Sequence, residues 1–121
     1  MMVRSLKNCK YVRVLDGTLL CELLHPLVEG LKMNFSLAHA MLKPGESSLP
    51  HRLKESVEVY YILEGEGRMH IEKETRIVVA GDAIFIPPGT VQYIENINDS
   101  ILSFLCIVSP PWQRKNEELT Q

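Results

Sequence analysis

The sequence predicts an all-β fold, and three features of the chain support this prediction. Roughly ten short apolar runs follow one another along the 121 residues. Turn-forming glycine, proline, asparagine and aspartate residues separate these runs, and no run has the 3.6-residue apolar period of an amphipathic helix. The intervening segments are too short for the crossover helices that a parallel sheet needs. A sandwich or barrel of antiparallel strands is the architecture that fits.

The N-terminal third contains three predicted strands. The first two, residues 11–15 and 18–24, are joined by Asp16-Gly17. Asp-Gly between apolar runs favours a type I′ hairpin turn, in which both central residues have positive φ. The third strand covers residues 34–42 and ends at a Pro-Gly turn.

Six further strands are predicted in the rest of the chain. They cover residues 57–63, 68–72, 76–79, 83–86, 91–96 and 101–108. Residues 57–63 are apolar on both alternating faces, which predicts a strand buried on both sides.

The whole chain is predicted to form a single domain. Its core is expected at residues 34–109, after N-terminal strands in residues 1–33. Residues 110–121 are rich in charge, and they are predicted to be a surface tail anchored by Trp112.

Composition excludes several classes of protein. A hydrophobic fraction of 45% and a charged fraction of 23% are ordinary globular values. The net charge of −2 gives no footprint for nucleic acid or anionic lipid. No apolar run approaches the ~18 residues of a membrane span, and no signal peptide is visible, so we expect a cytoplasmic protein. Cys9, Cys21 and Cys106 are expected to be buried free thiols.

One carboxylate and one histidine call for a chemical explanation. Glu58 lies in the apolar strand 57–63, seven residues after His51, which is expected in the loop that enters that strand. A buried ionised carboxylate is costly unless it is paired, hydrogen-bonded or bound to a cation. The alternative places Glu58 at the wet end of the strand, in a salt bridge to Arg52 or Lys54.

Two spaced motifs surround these residues. Residues 45–65 read G-x5-H-x-L-x4-E-x6-G, and residues 81–96 read G-x5-P-x-G-x2-Q-x3-N, with fifteen residues between them. The pair resembles the two motifs of the cupin superfamily, G-x5-H-x-H-x3-4-E-x6-G and G-x5-P-x-G-x2-H-x3-N. The resemblance implies a double-stranded β-helix, or jelly-roll, barrel of the small mannose-6-phosphate-isomerase-like kind, often dimeric.

The resemblance also implies a variant metal site. Cupins usually bind one divalent metal through three histidines and a glutamate, and Leu53 and Gln92 replace two of those histidines here. The implied ligand set is His51, Glu58 and Gln92, for Zn, Mn, Fe, Ni or Cu. An amide oxygen is a poorer donor than imidazole for these metals. The same trio is also compatible with a metal-free site in which Gln92 donates its NH2 to Glu58.

Four further residues are predicted to line the barrel cavity. Tyr60 shares the strand face of Glu58, and Asn96 shares that of Gln92. Cys106 lies in the last long strand, where related small cupins line their cavity. His39 lies in strand 34–42. The alternatives are a packed tyrosine, a buried small thiol and a histidine satisfied within the core.

Two functions remain open from the sequence. The first is a metal-dependent cupin enzyme acting on a small polar metabolite by isomerisation, cyclisation or dioxygenation. The second is a non-catalytic metabolite-binding module with a degenerate, metal-free site. In either case we expect a homodimer, because the apolar faces of strands 57–63 and 101–108 exceed what one barrel covers.

Overall fold

The computed structural model describes residues 1–120 as two antiparallel sheets that face each other. The eleven strands are Val12–Arg13 (β1), Leu19–Leu24 (β2), Ser36–Leu42 (β3), His51–Leu53 (β4), Val57–Glu64 (β5), Glu66–Ile71 (β6), Glu74–Val79 (β7), Ala83–Ile86 (β8), Gln92–Asn96 (β9), Leu102–Ser109 (β10) and Glu117–Leu119 (β11). The first sheet has the order β1-β2-β3-β10-β5-β8, and the second has the order β11-β4-β9-β6-β7. One short α-helix, Pro26–Glu29 (α1), and two 3-10 turns, Leu6–Asn8 and Arg114–Asn116, complete the fold. The predicted all-β, double-stranded β-helix is confirmed.

The inward faces of the strands divide the barrel into a packed end and a hollow end. On β5, Ile62 belongs to the apolar core, whereas Glu58 lines a cavity. On β10, which runs antiparallel to β5, Leu102 is in the core and Val108 lines the cavity. The cavity therefore lies at the end of the barrel where β5 begins and β10 ends.

The outer face of β5 differs from the prediction. Tyr60 and Ile62 are buried, but Tyr61 and Leu63 are 40% and 38% exposed. The inner side of the strand is buried, whereas its outer side is only half-buried at Val57 and Val59 and exposed at Tyr61 and Leu63. Its apolar composition on both faces led to the wrong prediction.

The N-terminal hairpin is present, but its predicted turn type is wrong. Val12 pairs with Leu20 across β1 and β2. A type I′ turn requires positive φ at both central residues. Gly17 has a φ of 91°, but the φ of Asp16 is not positive. The Asp16 side chain instead accepts hydrogen bonds from the backbone and hydroxyl of Thr18, which stabilises a longer loop.

Two predictions of irregular chain are also wrong. His51 begins β4 and does not lie in a loop. The expected C-terminal surface tail returns to the barrel, where β11 pairs with β4 through Glu117 and Leu53. Glu117 is 9% exposed, so this charged residue faces the interior although its neighbourhood in the sequence is polar.

Two of the three cysteines are not free thiols. Cys9 and Cys21 form a disulfide that ties the N-terminal arm to β2, which corrects the prediction for both residues. Cys106 is free and buried, as predicted. Within residues 1–120, no helix has the length and apolar character needed to cross a bilayer.

Candidate functional site

The hollow end of the barrel is a cavity of about 280 Å³ with an apolar wall and a polar wall. Valine, leucine and phenylalanine side chains from β1, β2 and β10 line the apolar wall. The carboxyl, lysine and histidine side chains in the lining are Lys10, Asp16, Glu22, His51, Glu58 and Glu117. Four carboxyl groups thus face one lysine and one histidine. This cavity favours a cation over an unaccompanied anion.

Glu58 and Gln92 connect the two sheets across the cavity. Glu58 lies on β5 of the first sheet, Gln92 lies on β9 of the second, and Gln92 Nε2 donates to Glu58 Oε1 over 2.9 Å. Arg52 pairs with Glu118 instead of with Glu58. Glu58 is therefore an inward group that is hydrogen-bonded, and the wet-end alternative is excluded.

Burial changes the acidity of the groups beside this contact. It raises the pKa of Glu58 to about 8, with the Gln92 hydrogen bond opposing the shift and the charges of Asp16 and Glu117 adding to it. Burial likewise raises the pKa of Tyr60 and of Cys106 well above their usual values. At neutral pH Glu58 is mostly a neutral carboxylic acid that can donate a proton or a hydrogen bond.

His51 is oriented by the backbone. Its Nδ1 lies 2.6 Å from the Leu49 carbonyl oxygen, which can only accept, so Nδ1 carries a hydrogen. The lone pair of the neutral ring is then on Nε2, which lies 3.4 Å from Asp16 Oδ2. Histidine ligands of metals show the same arrangement, in which one nitrogen is fixed by an outer partner and the other is free.

Asp16 reaches this point from the β1–β2 loop. Its Oδ1 accepts from the backbone and hydroxyl of Thr18 at 3.0 and 2.8 Å. Its carbonyl oxygen accepts from Leu49 N over 2.6 Å. Leu49 thus holds both the Asp16 loop and the His51 ring, which explains why these two side chains meet.

Glu117 reaches the same point from the C-terminal strand. Its Oε1 accepts from Trp112 Nε1 over 2.6 Å. Burial raises the pKa of Glu117, and Asp16 adds to the shift, while Trp112 and His51 oppose it. Burial of the charged forms of Glu117 and Asp16 side by side costs the least free energy when a positive charge lies nearby.

Asp16, His51 and Glu117 form a cluster whose donor atoms all lie within 4.8 Å of one another. Metal bonds of about 2.0–2.2 Å at tetrahedral angles would separate two ligand atoms by about 3.4 Å. The His51–Asp16 distance has this value, and a Glu117 carboxylate oxygen lies within 4.8 Å of both donor atoms. One imidazole and two carboxylates suit a divalent cation such as Mn²⁺, Fe²⁺ or Zn²⁺.

The ligand set implied by the motifs is only partly brought together. His51 and Gln92 are register partners on β4 and β9, and Gln92 contacts Glu58. His51, however, turns Nε2 toward Asp16. Metal binding by His51, Glu58 and Gln92 stays a prediction.

Of the four other residues expected in the cavity, Tyr60 and Cys106 are in its wall. His39 lies on the opposite face of β3 from the lining residue Ala38, and its Nδ1 is 2.8 Å from the Tyr11 hydroxyl. His39 is therefore a buried histidine satisfied by a hydrogen bond, which is the alternative to a cavity-lining residue. Asn96 lies at the packed end, where its Nδ2 donates to the carbonyl oxygens of Leu42 and Ser100.

Sequence reasoning missed Asp16 and Glu117. Asp16 precedes a glycine, as turn residues commonly do, and Glu117 lies in a run of charged residues. Neither has a local pattern that separates a ligand from a turn or surface residue. Their proximity depends on the pairing of β1 with β2 and of β11 with β4.

Comparisons with known proteins agree with this architecture. A family profile for the cupin domain matches residues 38–108. An uncharacterized protein of Methanocaldococcus jannaschii is 42% identical over 107 residues, which cover 88% of this chain and 84% of that protein. An oxalate-binding protein of Thermotoga maritima is 37% identical over 71 residues, or 59% of each chain.

Among solved structures, a predicted oxalate decarboxylase from Thermotoga maritima superposes with a TM-score of 0.79 at 27% identity. The match covers 89% of this chain and 98% of that one.

Proposed function

The chain belongs to the cupin family, and on that premise we propose that its barrel binds a divalent cation together with a small carboxylic acid. The observation that carries the proposal is the cavity of about 280 Å³, in which acidic groups and one oriented imidazole converge beside an apolar wall. Pockets of this composition are the usual sites of small-molecule binding.

The charge of the cavity supports a cation as the first occupant. Asp16 and Glu117 are buried carboxylates whose donor atoms lie within 4.8 Å of each other and of a His51 donor atom. Like charges at this spacing repel in a medium of low dielectric constant. A divalent cation would remove that repulsion and make the cavity attractive to an anion.

The chemistry of the relatives supports a carboxylic acid as the second occupant. One relative is named as an oxalate-binding protein, and one structural neighbour is described as a predicted oxalate decarboxylase. A cation held by three protein ligands keeps positions open for two oxygens of such an acid. The apolar wall formed by Leu20 and Phe104 would accept the carbon part of a larger acid.

Glu58 gives the cavity a proton donor. Because burial raises its pKa to about 8, it is mostly protonated at neutral pH, and it lines the same cavity as the cation cluster. Isomerisation or cyclisation of a bound acid needs a proton-transfer group of this kind, and a bound cation would supply Lewis acidity.

Cation-dependent ligand binding tests this function. Chelator-treated protein is titrated calorimetrically with oxalate and with malonate, first without metal and then with one equivalent of Mn²⁺. We expect binding only in the presence of Mn²⁺. Equal affinity with and without the metal would contradict the cation-dependent site.

A second function, a cation-free binding module, is favoured by the Glu58–Gln92 hydrogen bond, which satisfies two buried polar groups without a metal. Zn²⁺, Mn²⁺, Fe²⁺ and Ni²⁺ would then leave the melting temperature unchanged. A rise in melting temperature with any of these ions, lost on addition of chelator, would contradict the module.

A further inference from the structure

We propose that the cation in this cavity is held by Asp16, His51 and Glu117, with Glu58 left out of the coordination. This inference rests on the proposed function, because it names the ligands of the same site. It differs from the set that the cupin motifs imply, since two of its three ligands lie outside both motifs.

The contact between His51 and Asp16 is the first argument. His51 is 98% buried, and its Nδ1 hydrogen is committed to the Leu49 carbonyl. Nε2 therefore presents a lone pair to Asp16 Oδ2, another acceptor, at 3.4 Å. Two acceptors in contact inside a protein need a positive charge between them, either a second proton on His51 or a metal ion.

The second argument is that only one oxygen of each carboxylate accepts a hydrogen bond from a neighbouring side chain. Asp16 uses Oδ1 for Thr18, and Glu117 uses Oε1 for Trp112. Each carboxylate has a second oxygen that these hydrogen bonds do not use, and Asp16 Oδ2 is the oxygen that lies 3.4 Å from His51 Nε2. Outer partners that fix one atom of a ligand and leave the other free are typical of metal sites.

The state of Glu58 and Gln92 is the third argument. Gln92 turns its NH2 group toward Glu58 and donates a hydrogen bond of 2.9 Å to Oε1, which satisfies both groups without a cation. Gln92 Oε1 is buried and has no hydrogen-bond partner within residues 1–120. Gln92 is the register partner of His51, so its side chain lies on the same face of the second sheet as the His51 ring.

The cluster also has an architectural consequence. Asp16 comes from the loop before β2 and Glu117 from β11, so a bound cation would fasten both terminal segments to β4 at the centre. Cation binding should therefore stabilise the ends of the chain as well as the cavity.

Isosteric variants test the ligand assignment. Asp16→Asn keeps an oxygen for Thr18, and Glu117→Gln keeps one for Trp112, so each removes a charge without removing its structural hydrogen bond. Glu58→Gln is the matched control inside the same cavity. Mn²⁺ and Zn²⁺ affinities of chelator-treated proteins are measured by calorimetry, and thermal unfolding in chelator verifies that each variant is folded.

We expect Asp16→Asn and Glu117→Gln each to weaken cation binding more than about tenfold, because losing even an outer partner of a ligand costs about 10–100-fold. Glu58→Gln should change the affinity less than about threefold. A large loss in Glu58→Gln, with or without losses in the other two variants, would overturn the assignment.

The test separates this inference from the proposed function. Cation binding by the wild-type protein that survives Asp16→Asn and Glu117→Gln would refute the ligand assignment alone. Absence of any cation binding by the wild-type protein would refute both, and His51 and Asp16 would then form a proton-mediated ion pair.

Discussion

Glu58 shows how burial can reverse the usual pH dependence of a carboxyl group. Its pKa rises from about 4.5 to about 8 on folding, so the folded protein keeps a proton that the unfolded chain loses. Between these two values the unfolded state binds fewer protons than the folded state. The contribution of Glu58 to the free energy of unfolding is fully present below pH 4.5 and is lost as the pH rises toward 8.

We therefore predict that Glu58→Gln flattens the pH dependence of stability. In the wild-type protein the Glu58 contribution should lower the free energy of unfolding by at most about 1.4 kcal/mol per pH unit between pH 5 and 8. The variant should lack this slope. Urea unfolding at several pH values, in chelator, measures it, and identical slopes for the two proteins would contradict the raised pKa.

Residues of the site were predictable only where a motif carried them. His51, Glu58 and Gln92 stand at fixed spacings, and the inward position of Glu58 and its bond to Gln92 follow from those spacings. Asp16 and Glu117 are 35 residues before and 66 residues after His51. Asp16 fits a turn residue and Glu117 fits a charged surface residue, so nothing in the sequence indicates that either binds a ligand.

At the scale of elements, the turn between β5 and β6 approaches β10 closely at Gly65. Gly65 has a φ of 90°, and a Cβ placed there would lie 2.5 Å from the Ile101 carbonyl oxygen and 2.9 Å from Leu102 Cα. Gly81 has a similar φ of 95°, but a Cβ there meets nothing within 4 Å. Close packing and backbone conformation both require glycine at position 65, whereas backbone conformation alone favours it at position 81.

Alanine at these two positions should separate backbone strain from steric overlap. We predict that Gly81→Ala costs about 1–2 kcal/mol of unfolding free energy, from the positive φ alone. Gly65→Ala should cost a further ~1–3 kcal/mol, because backbone atoms of β10 must move. Chemical denaturation compares the two variants, and equal costs would refute the close approach of Gly65 to β10.

The N-terminal arm, residues 1–13, is held to the barrel by a small set of contacts. None of the first thirteen residues is fully buried, and β1 has only two residues. The Cys9–Cys21 disulfide, the β1–β2 pairing and the contact of Tyr11 with His39 hold it in place. Lys10 and Val12 from this arm line the cavity, so the disulfide also helps to keep one wall in position.

We predict that reducing this disulfide loosens the arm while the barrel stays folded. A loop of this length corresponds to about 3 kcal/mol of stabilisation in the chain-entropy treatment. Hydrogen exchange with and without a dithiol reductant should show faster exchange in residues 1–13 and little change in β10. Unchanged exchange in the arm after verified reduction would contradict the tethering role.

At the scale of the whole molecule, the outer face of strands β5 and β8 presents exposed apolar side chains. Tyr61, Leu63 and Phe85 are 40%, 38% and 60% exposed on neighbouring strands β5 and β8. Contiguous apolar surface of this kind is typical of an interface. We propose that a second copy of the chain covers it.

Charge on this face should prevent dimerisation. We predict that the wild-type protein sediments at micromolar concentration with twice its 13.8 kDa mass, and that the double variant Tyr61→Lys, Phe85→Lys sediments as a monomer. Val28→Lys alters an exposed apolar residue on α1 and serves as the control, with the dimer retained. A monomeric wild-type protein would rule the dimer out.

The sequence predicted most strands of the barrel, but it did not predict the short strands β4 and β11. Apolar runs separated by turns fixed nine of the strands approximately, because alternation and turn residues act locally. β4 and β11 were missed because each has only three residues and depends on its partner for pairing. The same missed pairing concealed the position of Glu117.

The central claim is that a divalent cation binds between the terminal segments and β4, and anomalous diffraction from crystals grown with Mn²⁺ tests it most directly. We predict one strong anomalous peak bonded to Asp16 Oδ2, His51 Nε2 and a carboxylate oxygen of Glu117, with the Glu58–Gln92 hydrogen bond intact. A peak bonded to Glu58, or no peak in the cavity at saturating Mn²⁺, would contradict this claim.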